Sequence, residues 1–247
     1  SIWFQWRRTT WNCKNHDVIF TSCASESNNL AIKGFVNRYK NRGKHIITSK
    51  IEHPSVLNVF KSLESQGFEV SYLDVDEFGK FDLELLEKLI KNDTILVSLM
   101  AVNNEVGSIQ NVNKIIEIIK KYPKIKLHVD AVQCLGKFNI DYSKIDMITF
   151  SMHKIHGLKG SGILLKNKSI ELIPLIEGGG QENGIRSGTT NYPIAASDYF
   201  AIKKSISSLK NNFNYIKELA SPIYDYLNSN QDLFKINSSI ENPYIIN

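Results

Sequence analysis

The run Ile125-Lys126-Leu127-His128-Val129-Asp130-Ala131-Val132-Gln133 decides how this chain is read. Residues 125–129 read as a strand, Asp130 puts a carboxylate at its end, and Gln133 adds an amide three residues on. A carboxylate there can receive a protonated nitrogen from a ligand, or it can cap a following helix. Working outward, strand patterns fall at 18–21, 45–48, 68–73, 95–100 and 147–150, and helical patterns at 27–39, 55–63, 83–90 and 112–119. Strand and helix alternating over about 130 residues indicate an α/β fold, a mostly parallel sheet sandwiched by helices. Ligands of such sheets sit at the carboxyl ends of strands.

The bulk properties fit a globular protein. The 247 residues allow one large domain, or one plus part of another. A 42% hydrophobic and 22% charged composition excludes disordered and fibrous chains. The longest apolar runs fall well short of the roughly 18 residues of a membrane span, so no membrane partner is expected. No secretory signal is visible in the first thirty residues. The net charge of +5 comes from scattered lysines, a solvated surface that gives no reason to expect a nucleic-acid partner. Three cysteines without repeated spacing make neither a disulfide framework nor a CxxC metal site. No metal is expected, and a reducing, cytoplasmic compartment is.

The second chemical signal lies 24 residues beyond Asp130, where a strand ends in Ser151-Met152-His153-Lys154. A lysine at the buried end of a strand is desolvated, which favours the neutral amine needed to join a carbonyl. An acid for a ring nitrogen and an amine for an aldehyde together describe a pyridoxal 5′-phosphate site. A phosphate needs donors, and Ser22-Cys23-Ala24-Ser25-Glu26 stands between a strand and a helix N-terminus, though Ser25 could equally be a cap. His53, before Pro54 and a helix, can lay its ring over the cofactor or act in proton transfer, or be only a cap. Asn103-Asn104-Glu105 follows the strand 95–100 and can supply an amide to the ring hydroxyl, or simply turn the chain.

These residues carry a resemblance. The stretch from Phe20 to Gly34 (Phe-Thr-Ser-Cys-Ala-Ser-Glu-Ser-Asn-Asn-Leu-Ala-Ile-Lys-Gly), Glu52-His53, Val102 to Gly107, His128 to Gln133, Ser151 to Lys154 and Gly178 to Thr189 are similar, in order, to the cysteine desulfurases of the NifS/IscS type. That family sits within the class V aminotransferases, whose fold type I large domain binds pyridoxal phosphate. The resemblance implies that Lys154 is the Schiff-base lysine, Asp130 the partner of the pyridine nitrogen and Gln133 the amide near the phenolic oxygen. His53 would stack on the ring, Ala24 and Ser25 would bind the phosphate with Ser151 and His153 nearby, and Asn104 would touch cofactor and substrate. Thr189 would reach the phosphate of the other subunit of a homodimer. It implies an enzyme that converts L-cysteine to L-alanine and passes the sulfur as a persulfide to an acceptor protein, for iron–sulfur cluster or thiolated tRNA synthesis.

The chain departs from that pattern at several positions. Cys23 stands where the family usually has glycine, which would restrict positive φ. Ser25 replaces threonine, and Leu158 replaces a proline. Residues 1–15, with Trp3, Trp6 and Trp11, bear little likeness and read as an atypical, unstructured segment. Residues 16–200 read as the cofactor-binding large domain and 201–247, helical from about 194 to 227, as the start of a smaller C-terminal α/β domain. The apolar pair Ile245-Ile246 reads as a strand-like run at a cut end. On the family's pattern the persulfide cysteine and an arginine that grips the substrate carboxylate lie beyond Asn247, and Cys13, Cys23 and Cys134 do not match the nucleophile. The expectation is therefore a desulfurase fragment. The alternatives are another class V enzyme (an aminotransferase or selenocysteine lyase), a non-catalytic pyridoxal-phosphate-binding piece, or a basic binding protein without cofactor.

Overall fold

A computed structural model describes residues 13–247. The tryptophan-rich segment lies outside the described residues up to residue 12. Seven strands, β1 (His16–Thr21), β2 (His45–Ser49), β3 (Glu69–Leu73), β4 (Thr94–Met100), β5 (Lys126–Asp130), β6 (Met147–Ser151) and β7 (Gly162–Asn167), form one sheet in the order β1-β7-β6-β5-β4-β2-β3. The five strands from β6 to β3 run parallel. β7 is antiparallel to both β1 and β6. The sheet is therefore mostly parallel, as expected, with one inserted strand that the sequence reading missed.

Six helices accompany it: α1 (Ala24–Tyr39), α2 (Pro54–Ser65), α3 (Leu83–Leu89), α4 (Val112–Lys120), α5 (Tyr192–Ser207) and α6 (Leu209–Ser229). Two apolar cores follow from the layering. Leu30, Phe35, Val56 and Phe60 of α1 and α2 pack with Ile46 and Leu96. Leu86, Ile115, Ile119 and Ile202 of α3, α4 and α5 pack with Val97, Leu127 and Ile148. Alternate residues of one strand thus feed opposite cores, which is why β4 is buried along its whole length and reads as an apolar run. No helix among the described residues is long and apolar enough to cross a membrane.

Two expectations at the C-terminal end are corrected. The helical stretch 194–227 is two helices that break at Ser208 (φ −101°, ψ 2°). Ile245-Ile246 is not a strand: the segment after α6 turns back onto the loop after β4, where Asn242 Nδ2 donates to Gly107 O at 2.8 Å. That bond and the packing of Tyr244 against Phe138 hold the segment in an irregular path with no strand to pair with.

The register places the site. Met100 pairs with Asp130, and Asp130 with Thr149, so β4, β5 and β6 end almost level and their next loops emerge side by side. Beside them, Gly162 opens β7 opposite Thr21 and Ser151. A Cβ there would stand 2.3 Å from the Cys23 carbonyl carbon and 2.5 Å from its oxygen, so only glycine lets β7 pass under the β1–α1 loop. G162A is expected to destabilise the chain by about 1–3 kcal/mol through overpacking. A lowered urea midpoint would bear this out, and an unchanged midpoint would contradict it.

Candidate functional site

The loops after β1, β2, β4, β5 and β6 enclose a cavity of about 260 Å³, near the small end of the ~300–1,000 Å³ usual for ligand pockets. It is lined by Ala24, Ser25, His53, Asn104, Asp130, Gln133, Ser151, His153 and Lys154. Every site residue expected from the sequence is therefore brought together except Thr189. That residue lines a separate cleft with Thr21, Ser22 and Arg186. A larger cleft of about 620 Å³ lies between the loop after β4, α6 and the C-terminal segment. It is not the better candidate: Asp225 there is exposed, and Lys80 is already spent on Ile109 O (2.7 Å) and Glu241 (3.6 Å).

Asp130 closes the cavity as the last residue of β5, 6% exposed. Its Oδ2 accepts from Asn28 Nδ2 at 2.9 Å and its Oδ1 from the Val132 N–H at 3.1 Å. The Val132 bond is a local turn, and no helix follows, so Asp130 does not cap one. Burial raises its carboxyl above the ordinary range, against the lowering effect of both hydrogen bonds and of His53. No ion pair reaches it among the described residues. Two positions earlier, His128 spans the strands, with Nδ1 2.8 Å from Ser98 Oγ and Nε2 3.0 Å from Thr149 Oγ1. Burial pushes it down to about 3, so it is a neutral strut.

The other end of the cavity is the N-terminus of α1. Cys23 is its N-cap but makes no side-chain cap bond. Glu26 instead reaches back to the Ser22 N–H at 2.7 Å and pairs with Arg186 at 2.8 Å. Ser25 is thus not the cap, and the first-turn N–H groups of a 16-residue helix face the cavity unclaimed by a cap, a setting suited to an anion. Cys23 has φ −172°, extended backbone open to any residue, so the glycine expected there is not required by conformation.

Lys154 corrects an expectation. It is exposed, because β6 ends at Ser151 and a 3-10 turn over Met152–Ile155 lifts it to the rim, closed by His156 in the left-handed region (φ 63°). Ser151 Oγ lies 2.9 Å from His153 Nδ1, and partial burial, then Lys154 and Lys159, lower His153. Gln133 Oε1 accepts from Lys137 Nζ at 2.9 Å.

Two sequence alternatives prove compatible. His53 is the N-cap of α2, its Nδ1 accepting from the Ser55 N–H at 3.1 Å, and it also lines the cavity. Asn103 makes the turn, accepting from the Glu105 and Val106 N–H groups at 2.9 Å each, which leaves Asn104 to face the cavity. Sequence reasoning missed Asn28, Ser55 and Glu52. Glu52 stood in a quoted motif without a role. It is 4% exposed, and its Oε1 accepts from the Met100 N–H (2.9 Å) and Ser49 Oγ (2.6 Å), which braces the turn before α2 against β4.

The donor set fits pyridoxal phosphate: a buried acid awaiting a cationic partner, an amine at the rim, amides between them, and an uncapped helix end. Residues 8–242 match the family described as aminotransferase class-V. A NifS/IcsS protein homolog of Lactobacillus delbrueckii subsp. bulgaricus is 50% identical over 184 residues, 73% of this chain and 48% of that protein. Cysteine desulfurase IscS of Buchnera aphidicola subsp. Acyrthosiphon pisum is 42% identical over 241 residues, 94% of this chain and 59% of that protein. A solved NifS-like protein superposes with a TM-score of 0.86 at 41% identity, covering 91% of this chain and 62% of that one. The chain spans about half to three-fifths of the length of these relatives.

Glu52 provides a test of the site's electrostatics. Burial first, and Asp130 in addition, push its carboxyl from 4.5 to about 8. Between those values the folded chain holds a proton that the unfolded chain has released, so stability falls as pH rises through that window. E52Q keeps the Oε1 acceptor and removes the titration. Urea unfolding from pH 4.5 to 8 should show the wild type losing about 4 kcal/mol relative to E52Q. A pH-independent difference would contradict the assignment.

Proposed function

Because this chain belongs to the class V aminotransferase family, we propose that it binds pyridoxal 5′-phosphate in the 260 Å³ cavity and serves a cysteine desulfurase of the NifS/IscS type. The observation that carries this reading is a buried acid, Asp130, and a rim amine, Lys154, on one cavity whose far end is an uncapped helix N-terminus. Bound pyridoxal phosphate supplies an electron sink for bond breaking at the substrate's Cα.

The chain's own residues hold and orient. Asp130 holds the proton of the ring nitrogen, since a carboxylate beside a cation is the favoured state of a buried acid. Lys154 Nζ would be the covalent anchor of the cofactor, and its exposed rim position would leave its amine free to move a proton. Ala24, Ser25, Ser151 and His153 receive the phosphate, through backbone N–H groups at the α1 terminus and the paired Ser151–His153 side chains. His53 would hold the ring by stacking, and Gln133 and Asn104 would orient cofactor and substrate through their amides.

The substrate is L-cysteine, the products L-alanine and a persulfide, and the acceptor a sulfur-carrier protein for iron–sulfur cluster or thiolated tRNA synthesis. Burial raises the Cys13 thiol to about 12 and pushes Cys134 up as well, so neither is a thiolate able to attack sulfur. Cys23 lies at the phosphate end of the cavity. The sulfur-accepting thiol is assigned to a group other than these three. Thr189, in its separate cleft, is assigned to the phosphate of a second copy in a cytoplasmic homodimer. Residues 16–200 are the cofactor-binding large domain and 201–247 part of a smaller one.

Incubation with pyridoxal phosphate, borohydride reduction and peptide mapping should fix one cofactor per chain to the peptide bearing Lys154, and none in K154A. Labelling of Lys137 instead, whose amine is lowered by burial, or equal labelling of K154A, would contradict the assignment.

A further inference from the structure

Asn28 lies in α1 and Ser55 in α2, and neither carries an expected role. Asn28 is fully buried, and its Nδ2 stands 2.9 Å from Asp130 Oδ2 and 2.9 Å from Ser55 Oγ. Ser55 Oγ in turn stands 2.8 Å from His53 Nδ1. We infer that Asn28 and Ser55 are positioning residues that tie the acid at the base of the cavity to the imidazole at its rim and hold His53 with its proton on Nε2.

The direction of the chain follows from the inventory of donors. A side-chain NH₂ has two hydrogens to give and accepts nothing, so Asn28 donates to both partners. As placed, both amide hydrogens are given and only Oδ1 is buried without a partner; the reverse orientation would instead bury the NH₂ with no acceptor. Ser55 Oγ, accepting from Asn28, directs its own hydrogen to His53 Nδ1. The Ser55 backbone N–H donates to that same nitrogen at 3.1 Å. Nδ1 therefore receives two hydrogens and carries none, and the neutral ring bears its proton on Nε2. His53 thus offers the cavity an N–H donor. It becomes a base at Nε2 only if the Ser55 hydroxyl reverses and Nδ1 takes up a proton. One amide, Asn28, sets both the orientation of the Asp130 carboxylate and the polarity of that relay. The relay stands on the cofactor-free chain, and its consequence for ligand binding rests on the pyridoxal phosphate reading.

The test is ¹⁵N NMR of the full, cofactor-free chain with labelled histidine, the His53 signals being assigned by their loss in H53N. The wild type should show the Nε2–H tautomer, and S55A, which keeps the backbone donor but loses the hydroxyl, should keep that tautomer with the Nδ1 resonance shifted towards that of a less strongly hydrogen-bonded nitrogen. N28A should move the His53 nitrogens in the same direction and weaken pyridoxal phosphate binding roughly ten-fold or more, the loss of a hydrogen bond to a charged group. If N28A does not fold, S55A at its half-buried position carries the test alone. A wild type in the Nδ1–H form, or His53 nitrogens unchanged in S55A, would overturn the inference. An Nε2–H wild type that takes up no pyridoxal phosphate would support the relay while counting against the proposed cofactor, so the two failures are distinguishable.

Discussion

The site depends on the burial of one carboxyl group. Asp130 ends a central parallel strand, 6% exposed, with two N–H donors and no ion pair among the described residues. Burial holds such a group above its ordinary range, and a cation beside it would favour the ionised state. The surroundings preserve that condition. His128 is kept neutral below it, and Glu52, raised to about 8, is uncharged near neutral pH. A protein that buries an acid without a counter-charge at the carboxyl end of a sheet is organised for a positively charged ligand group.

The sheet topology supplies the geometry. Because β4, β5 and β6 end level, Asn104, Asp130 and the Ser151–Lys154 turn come from three adjacent loops with no long excursion. Two inserted features complete the opposite wall. β7 enters between β1 and β6, and glycine at its first position lets the loop before α1 close over it. The helix terminus and the Ser151–His153 pair then line the same cavity as Asp130.

Much of this was legible in the sequence, and the part that was not has physical reasons. Central parallel strands are buried on both faces, so 95–100 and 147–150 stand out as apolar runs with edges close to those observed. β7 was missed because its apolar core, Ile163-Leu164-Leu165, is short and its place is set by pairing with β1, more than a hundred residues away, as well as with the preceding strand β6. The break at Ser208 lies in a run without glycine or proline, so periodicity passes over it. Among the site residues, the chemical type of Lys154 was legible, but its exposure was not, since a single 3-10 turn decides it. Asn28 was invisible as a functional residue: an asparagine within a helix has no local signature, and only the packing of α1 against the end of β5 brings it to Asp130.

The account stands on the charge state of Asp130, which isotope-edited infrared spectroscopy of the carboxyl groups reads directly, with D130N identifying its band. In the cofactor-free chain the protonated carbonyl band of Asp130 should persist above the ordinary carboxylate range and vanish when pyridoxal phosphate is added. A band that titrates at or below the ordinary aspartate value in the empty chain, or that is unchanged by the cofactor, would contradict the account.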